Sequence, residues 1–248
     1  RVWNDLNRSG GPTQDSGEYG LTNVTVYLYS ATNNLAPIAT NRTDATGYFM
    51  FAGSYTGTFY VVVSTNTGPL SGGTTWTQTY DTDGLSTTSR VTVTVASGAS
   101  AYVDFSYYQT GPYAIGDTLF YDWNGNGVQN DIDEGIPNVP VLLYWDSNSN
   151  GVIDAGADVL MAATVTDAQG QYFFQNLPPK NYLVAVDGAS TNLPSLYTVT
   201  ADPFGAKDGR SLVTVTNTNR LDQDFGYHVY FFLQDLFELV CHFVSPCF

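Results

Sequence analysis

Apolar and polar residues alternate in short runs along this chain, and clusters of Gly, Asn, Asp and Pro separate the runs. Val24, Val26 and Leu28 would point to one side of a strand and the residues between them to the other, and residues 91–95 repeat this alternation. Short alternating runs bounded by turn residues are typical of β-sandwiches and barrels. No convincing long amphipathic helix precedes the C-terminal segment, so we predict an all-β fold.

The second half of the chain repeats the first half. Four segments match in the same order: residues 2–7 with 119–124, 20–28 with 135–143, 43–51 with 166–174, and 103–107 with 223–227. The 248 residues are also about twice the usual domain size of roughly 100–150. We therefore predict two tandem antiparallel β-sandwiches, each of about seven or eight strands, at residues 1–110 and 111–228, and a short hydrophobic extension at 229–248.

The segment DWNGNGVQNDIDEG, residues 122–135, spaces its oxygen-bearing side chains as a calcium loop does. The candidate ligands are Asp122, Asn124, Asn126, the Val128 carbonyl, Asn130 and Asp133, with Glu134 as the alternative to Asp133 in the closing position. Only oxygen is offered, which suits Ca²⁺, and Gly127 at the sixth position permits a sharp turn. The alternative is a polar, Gly-rich hairpin held by Asn and Asp turns without metal.

Two further loops repeat this spacing less completely. The second candidate set is Asp146, Asn148, Asn150, the Val152 carbonyl, Asp154 and Asp158, in which the last acid arrives one residue late. The first module offers Asp5, Asn7 and Glu18 around a two-residue insertion. Arg8 lies within that segment, and we expect its charge to disfavour a cation there.

Several of the repeated elements resemble a known family. The elements GDTLFYDWNGNGVQ, DEGIPNVPVLLY, TDAQGQYFFQNLPPKNYLVAV and DQDFGY are similar to the B-type repeat of serine-aspartate-repeat surface proteins, and the similarity covers residues 1–228. The resemblance implies an Ig-like or prealbumin-like β-sandwich, related to the collagen-adhesin B-type, in a secreted or surface-anchored stalk, adhesin or filament that often binds calcium. Collagen-adhesin B domains often form a Lys–Asn cross-link, but residues 1–110 contain no Lys, and Lys180 and Lys207 fall in predicted loops.

The net charge and its distribution narrow the possible classes of function. The formal net charge is −15, and the acids concentrate in the second module, where paired carboxylates would repel one another without a cation. No basic patch is present to neutralise phosphates, which argues against nucleic acid. The only histidines are His228 and His242, so no nucleophile–base pair is indicated and we predict that the chain is not an enzyme. No apolar run is long enough to span a membrane.

The two ends of the chain differ from the repeat. Arg1 aligns with Thr118, so the first module lacks a counterpart of residues 115–117, and we expect the chain to be cut from a longer array.

At the other end of the chain, apolar residues recur at helical spacing within residues 229–248, or alternatively alternate as in a strand. We predict that this tail docks on a neighbouring subunit and completes the shortened first module by β-augmentation; the alternative is a tail packed on its own second module. Cys241 and Cys247 could pair with each other or with neighbours.

These observations favour an extracellular structural protein, a calcium-stabilised stalk or a subunit of a cell-surface filament that associates with itself. One alternative is an adhesin whose exposed aromatic residues bind a host or matrix protein or a glycan. Another is a pair of spacer domains in a larger secreted enzyme.

Overall fold

The structure, a computed structural model, describes residues 1–71, 75–130 and 132–229. The predicted tail beyond Val229, with its two cysteines, lies outside the described residues. The all-β prediction is confirmed, because the described residues form sixteen strands and one turn of 3-10 helix, Gly68–Leu70. Within this part of the chain, no helix has the length and apolar character needed to cross a bilayer.

Each half of the chain contributes eight of these strands. In the first module they are β1 Val2–Asn4, β2 Tyr19–Gly20, β3 Thr25–Ser30, β4 Ala39–Arg42, β5 Gly57–Val63, β6 Thr75–Asp81, β7 Arg90–Val95 and β8 Phe105–Thr110. In the second they are β9 Tyr113–Tyr121, β10 Pro140–Trp145, β11 Val159–Val165, β12 Gln171–Leu177, β13 Lys180–Val186, β14 Tyr197–Ala201, β15 Arg210–Val215 and β16 Phe225–Val229. The last strand therefore runs one residue beyond the predicted module end.

Each module consists of two four-stranded sheets. The orders are β2-β1-β8-β6 and β4-β3-β5-β7 in the first module, and β12-β9-β16-β14 and β11-β10-β13-β15 in the second. All pairs are antiparallel except β1 with β8 and β9 with β16, which are parallel. Alternation cannot reveal this exception, since strand direction depends on how the chain crosses between the sheets.

The alternating residues form the core of each sandwich, as the pattern predicts. Val24, Val26 and Leu28 are 0–4% exposed. The repeat extends to individual hydrogen bonds. Thr43 donates its hydroxyl to the Leu21 carbonyl at 2.6 Å and accepts from the Val24 backbone at 2.9 Å. Thr166 makes the same two bonds in the second module, so the two copies share their internal geometry.

The modules also contact each other across a short connection. Only two residues separate β8 from β9, and Gly111 donates its backbone N–H to the Asn176 carbonyl at 3.1 Å. The rings of Tyr19 and Trp145, one from each module, have centroids 5.5 Å apart. The Lys180 ammonium lies 4.5 Å from the Trp145 ring centroid. Three kinds of contact, from backbone, rings and a cation, thus fix the junction.

The structure corrects one prediction at this junction. Lys180 does not lie in a loop but begins β13, where its backbone pairs with Val215. Lys207 lies outside the strands, between β14 and β15, as expected. The sequence PPKNY reads as a turn because of its two prolines, yet pairing with β15 extends the strand back to the residue after them.

Lys180 offers a test of the junction by pH. Burial lowers the pKa of Lys180 to about 8, whereas an unfolded lysine titrates near 10.4. The folded state therefore binds fewer protons between these two values, so this contribution to stability grows as the pH rises from about 8 to about 10 and is lost below about 8. We expect Lys180→Met to raise the unfolding temperature near neutral pH, because the substitution removes the buried charge. The increase of the unfolding temperature between neutral pH and about pH 9 should also be smaller in the variant than in the parent chain, measured by calorimetry.

Lys207→Met is the matched control, because it removes the same charge from an exposed site. Equal changes in the two variants would contradict a buried, junctional Lys180.

Candidate metal-binding loops

Three loops carry the predicted metal ligands: loop A is residues 5–18, loop B residues 122–134 and loop C residues 146–158. Each begins with an aspartate directly after a strand: Asp5 after β1, Asp122 after β9 and Asp146 after β10. These aspartates are buried, with exposed fractions of 1%, 0% and 1%. A buried carboxylate is costly unless hydrogen bonds or opposite charge compensate it.

In each loop the compensation comes from two consecutive backbone N–H groups. Asp122 accepts from Asn126 through Oδ1 at 3.1 Å and from Gly127 through Oδ2 at 2.7 Å. Asp5 and Asp146 receive the same pair of bonds at 3.0–3.3 Å. The second donor is a glycine in all three loops, with φ of +63°, +77° and +76° in loops A, B and C. Because glycine adopts positive φ at little cost, the loop can fold back over the aspartate.

A second carboxylate closes each loop. In loop B, Asp133 accepts from the backbone N–H groups of Trp123 at 2.9 Å and Asn130 at 3.0 Å. Asp158 in loop C accepts from the corresponding groups at 3.1 and 2.8 Å. Glu18 in loop A does so at 2.9 and 3.0 Å. The late acid in loop C and the insertion in loop A therefore leave the closing geometry unchanged.

The structure places Asp133, rather than Glu134, in the closing position of loop B. Both oxygens of Asp133 face backbone groups of the loop. Glu134 is exposed, and its backbone carbonyl accepts from Tyr121 at 2.7 Å. That backbone bond pairs Glu134 with Tyr121, the last residue of β9.

The predicted asparagines shape the loops from within. Asn124 accepts at Oδ1 from Asn126 at 3.0 Å, and Asn126 accepts at Oδ1 from Val128 at 2.8 Å. The same contacts recur from Asn148 to Asn150 and from Asn150 to Val152 in loop C, and from Asn7 to Ser9 in loop A. In loop B, Asn130 also donates its side-chain amide to the Val128 carbonyl at 3.2 Å. Each asparagine thus stabilises a turn whether or not a metal is bound.

Sequence reasoning missed one residue, Asp15. It accepts from the Asn7 side-chain amide at 3.0 Å in loop A. Asp154 accepts from the amides of Asn148 and Asn150 at 2.9 and 2.7 Å in loop C. The two-residue insertion in loop A moves Asp15 out of the ninth position, and counting the insertion would have identified it.

Arg8, whose charge we expected to disfavour a cation, points its guanidinium at a ring. Its Cζ lies 3.8 Å from the ring centroid of Tyr108. Arg8 itself has φ of +60°, which is unusual for a residue with a side chain. The guanidinium therefore stabilises the fold near the junction through a cation–π contact.

The electrostatics of the loops differ. Burial raises the pKa of Glu18 to about 7, and the neighbouring charges of Asp5 and Asp15 add to this effect. Burial alone would also raise the pKa of Asp122, but the backbone hydrogen bonds to Gly127 and Asn126 contribute to a net lowering. The closing carboxylate of loop A therefore carries a negative charge that its surroundings compensate only in part.

The oxygen donors of these loops are of the kind that a hard cation prefers. The carboxylates, however, are spread around each loop and do not cluster. Among the described residues, no three His, Cys, Asp or Glu side chains form a metal-holding group. The remaining candidate donors are Asn oxygens and backbone carbonyls, which Ca²⁺ accepts and which softer metals do not prefer. In loop C the side-chain amides of Asn148 and Asn150 donate hydrogen bonds to Asp154 Oδ2, so a cation bound to this oxygen would have to displace them.

Fold and loops together define a tandem β-sandwich protein with aspartate- and asparagine-rich loops at the strand ends. The chain belongs to the SdrD B-like domain family, which it matches twice, over residues 1–107 and 113–225. The resemblance inferred from the sequence is therefore confirmed.

Full-length relatives are much longer than this chain. It is 30% identical over 230 residues to serine-aspartate repeat-containing protein F of Staphylococcus epidermidis, covering 91% of this chain and 13% of the relative. It is 30% identical over 229 residues to serine-aspartate repeat-containing protein C of Staphylococcus aureus strain Newman, covering 92% of this chain and 22% of the relative. The chain thus spans less than a quarter of each relative.

Solved structures show weaker similarity. GBS52, the minor pilin of Streptococcus agalactiae, is 11% identical with a TM-score of 0.34, over 93% of this chain and 94% of that one. The shaft pilin SpaA of Lactobacillus rhamnosus GG is 11% identical with a TM-score of 0.33, over 94% and 97% of the two chains. TM-scores this low support no conclusion about this chain.

Removing the first aspartate of loop B tests its structural role apart from any metal. Asp122→Ala leaves the N–H groups of Asn126 and Gly127 without their acceptor, and an unsatisfied donor costs about 1–3 kcal/mol. We expect the free energy of unfolding of the second module to fall by about 2 kcal/mol or more in excess chelator, measured by urea denaturation.

Glu134→Ala removes an acid from the same loop but from an exposed position. It should change the free energy of unfolding by less than about 0.5 kcal/mol. A comparable loss in both variants would show that loop charge, not the buried carboxylate, is responsible.

Proposed function

We propose that this chain is a non-enzymatic structural segment of an extracellular surface protein, in which calcium stiffens the modules and their junction. The main support for this proposal is the shared geometry of the three loops, each of which has a buried first aspartate and a closing carboxylate. Membership of the SdrD B-like domain family and the serine-aspartate-repeat relatives support a place at the cell surface.

The position of the loops supports stiffening rather than sensing. Loop A and the end of loop C meet at the junction, where a Cβ built on Gly17 would lie only 2.3 Å from Val159 Cγ2 and 3.6 Å from the Ala157 carbonyl oxygen. Leu6 of loop A and Tyr108 of β8 join the hydrophobic core of the second module. An ion that fixes either loop would therefore also fix the angle between modules.

The residues that would hold calcium follow from the loop geometry. In loop A they are Asp5, Asn7, Asp15 and Glu18; in loop B, Asp122, Asn124, Asn126, the Val128 carbonyl, Asn130 and Asp133; in loop C, Asp146, Asn148, Asn150, the Val152 carbonyl, Asp154 and Asp158. The ion would supply positive charge among these oxygens. Self-association through residues 229–248 stays a prediction, because that tail lies outside the described residues.

Calcium removal tests the metal sites. Calcium at about 10 mM exceeds the dissociation constants of weak extracellular sites, roughly 10⁻⁴–10⁻³ M, by about tenfold to a hundredfold. A site at a hundredfold excess over its dissociation constant stabilises the folded state by about 2.7 kcal/mol. We expect calcium to raise the unfolding temperature of the chain above its value in excess chelator, and the double variant Asp133→Asn with Asp158→Asn to lose most of this increase.

Asp167→Asn is the matched control, since Asp167 accepts backbone hydrogen bonds in an exposed turn outside the three loops. An unfolding temperature that is the same in calcium and in chelator would refute the calcium part of the proposal.

Junction stiffness can be measured directly. Spin labels at the exposed positions Ser97 and Thr191, one in each module, report the inter-module distance by pulsed electron resonance. Cys241 and Cys247 are replaced by serine in this background. We expect a narrow distance distribution with calcium and a broader one in chelator, because the loops at the junction lose their bound charge. A distribution of unchanged width would contradict stiffening by calcium.

A further inference from the structure

Asparagine is followed directly by glycine at three places in the candidate metal-binding loops. The pairs are Asn124-Gly125 and Asn126-Gly127 in loop B and Asn150-Gly151 in loop C. Glycine has no side chain to crowd its own nitrogen, so this nitrogen can reach the side-chain carbonyl carbon of the asparagine before it. All three asparagines are exposed, which gives water similar access to each of them. Solvent exposure therefore does not decide which pair reacts.

Two of these pairs are held by the buried aspartates. Gly127 donates its N–H to Asp122 Oδ2 at 2.7 Å, and Gly151 donates its N–H to Asp146 Oδ2 at 3.0 Å. A hydrogen bond to a charged acceptor is stronger than one between neutral groups. The nitrogen must give up this bond before it can attack the preceding side chain, so the bond protects both pairs.

The side chains of the same two asparagines are held as well. Asn126 Oδ1 accepts from the Val128 N–H at 2.8 Å, and Asn150 Oδ1 accepts from the Val152 N–H at 2.8 Å. Asn150 also donates its side-chain amide to Asp154 at 2.7 Å. Attack by the next nitrogen requires the side chain to turn toward it, which would break these bonds.

The Asn124-Gly125 pair is held more weakly. Gly125 donates its N–H to the backbone carbonyl of Asp122, a neutral acceptor, at 3.3 Å. The same carbonyl accepts from His228 Nδ1 at 2.8 Å, so Gly125 shares it with a closer donor. Asn124 Oδ1 accepts from the Asn126 N–H at 3.0 Å, but this N–H also donates to Asp122 Oδ1 at 3.1 Å. Both groups that must move at Asn124 are thus held by hydrogen bonds that a second partner shares.

The third position of the loop is followed by glycine in loop B alone. Asn124 occupies this position in loop B, Asn7 in loop A and Asn148 in loop C. The next residue is Arg8 in loop A and Ser149 in loop C, and the side chains of these residues crowd the attacking nitrogen. Loop B therefore combines a weakly held asparagine with the residue that favours attack.

We propose that Asn124 is a site of spontaneous deamidation, a reaction from which the buried aspartates protect Asn126 and Asn150. The Gly125 nitrogen loses its proton to water or hydroxide and forms a bond to Asn124 Cγ. The Cγ–Nδ2 bond breaks, ammonia leaves, and a succinimide ring remains. Water then opens the ring at either carbonyl, which yields aspartate or isoaspartate without an oxidant or a further reactant.

Either product changes loop B. Aspartate at this position adds a carboxylate to a loop that already holds Asp122 and Asp133, and the number of charged ligands is one factor that sets calcium affinity. Isoaspartate lengthens the backbone by one carbon, which shifts the N–H groups that Asp122 accepts. The first product favours a bound cation, and the second loosens the loop. This effect on calcium rests on the proposed function, whereas the reaction itself does not.

Deamidation of the intact chain in excess chelator tests the proposal. The chain is incubated at mildly alkaline pH, once folded and once unfolded in guanidinium chloride, and tandem mass spectrometry follows each position over time. In guanidinium chloride the three asparagines should react at similar rates, because each is followed by glycine. In the folded chain the rates at Asn126 and Asn150 should fall at least about tenfold, because the bond to the aspartate must first break. The rate at Asn124 should stay within about threefold of its value in guanidinium chloride.

Three variants assign the reaction to the loop geometry. Asn124→Gln lengthens the side chain by one methylene, which disfavours ring closure, and should remove the fast reaction from the folded chain. Asn150→Gln is the matched control, because it makes the same change in loop C and should leave the rate at Asn124 unchanged. Asp146→Ala removes the acceptor of Gly151, so the rate at Asn150 should rise toward its value in guanidinium chloride. The rate at Asn126 should stay low in this variant, which distinguishes local release from unfolding of the module.

Three results would overturn the proposal. They are equal rates at the three asparagines in the folded chain, a faster reaction at Asn126 or Asn150 than at Asn124, and an unreactive Asn124 in a folded chain that deamidates when unfolded. Because chelator is present throughout, these results do not depend on whether calcium binds the loops. A negative outcome here is therefore distinguishable from failure of the calcium proposal.

Discussion

A buried aspartate that accepts two consecutive backbone N–H groups is the interaction on which the rest of this structure depends. It occurs at the ends of β1, β9 and β10, each time with an exposed fraction of 0–1%. A carboxylate in this position would be too costly without the two bonds. The bonds in turn require the chain to fold back, which places a glycine at the turn and a second carboxylate at the closing position.

This constraint links local loop geometry to the arrangement of modules. Because Asp5 directly follows β1, loop A projects from the edge of the first module toward the second, where Gly17 approaches Val159. Tyr19, directly after loop A, packs against Trp145, directly before loop C. Loop A and the end of loop C therefore lie at the contact between the two sandwiches.

The two modules also show how a repeat can diverge without losing its fold. Both keep the threonine bonds and the parallel pairing of first and last strands. They differ in the loop after the first strand, where a two-residue insertion in loop A moves the ninth position to Asp15 and the closing position to Glu18. The closing carboxylate still accepts from two backbone N–H groups in both modules.

The sequence by itself determined the all-β class, the two copies, the inward-facing residues and most loop acids, because alternation, self-similarity and side-chain spacing are local properties. Tertiary structure alone decided the parallel pairing, the strand position of Lys180, the choice of Asp133 over Glu134, the role of Asp15 and the direction of Arg8. Each of these features depends on which backbone group or aromatic ring, distant in sequence, a residue contacts in the folded chain. Spacing along a chain fixes which side chains share a face, but not which partner from another strand or module will lie opposite them.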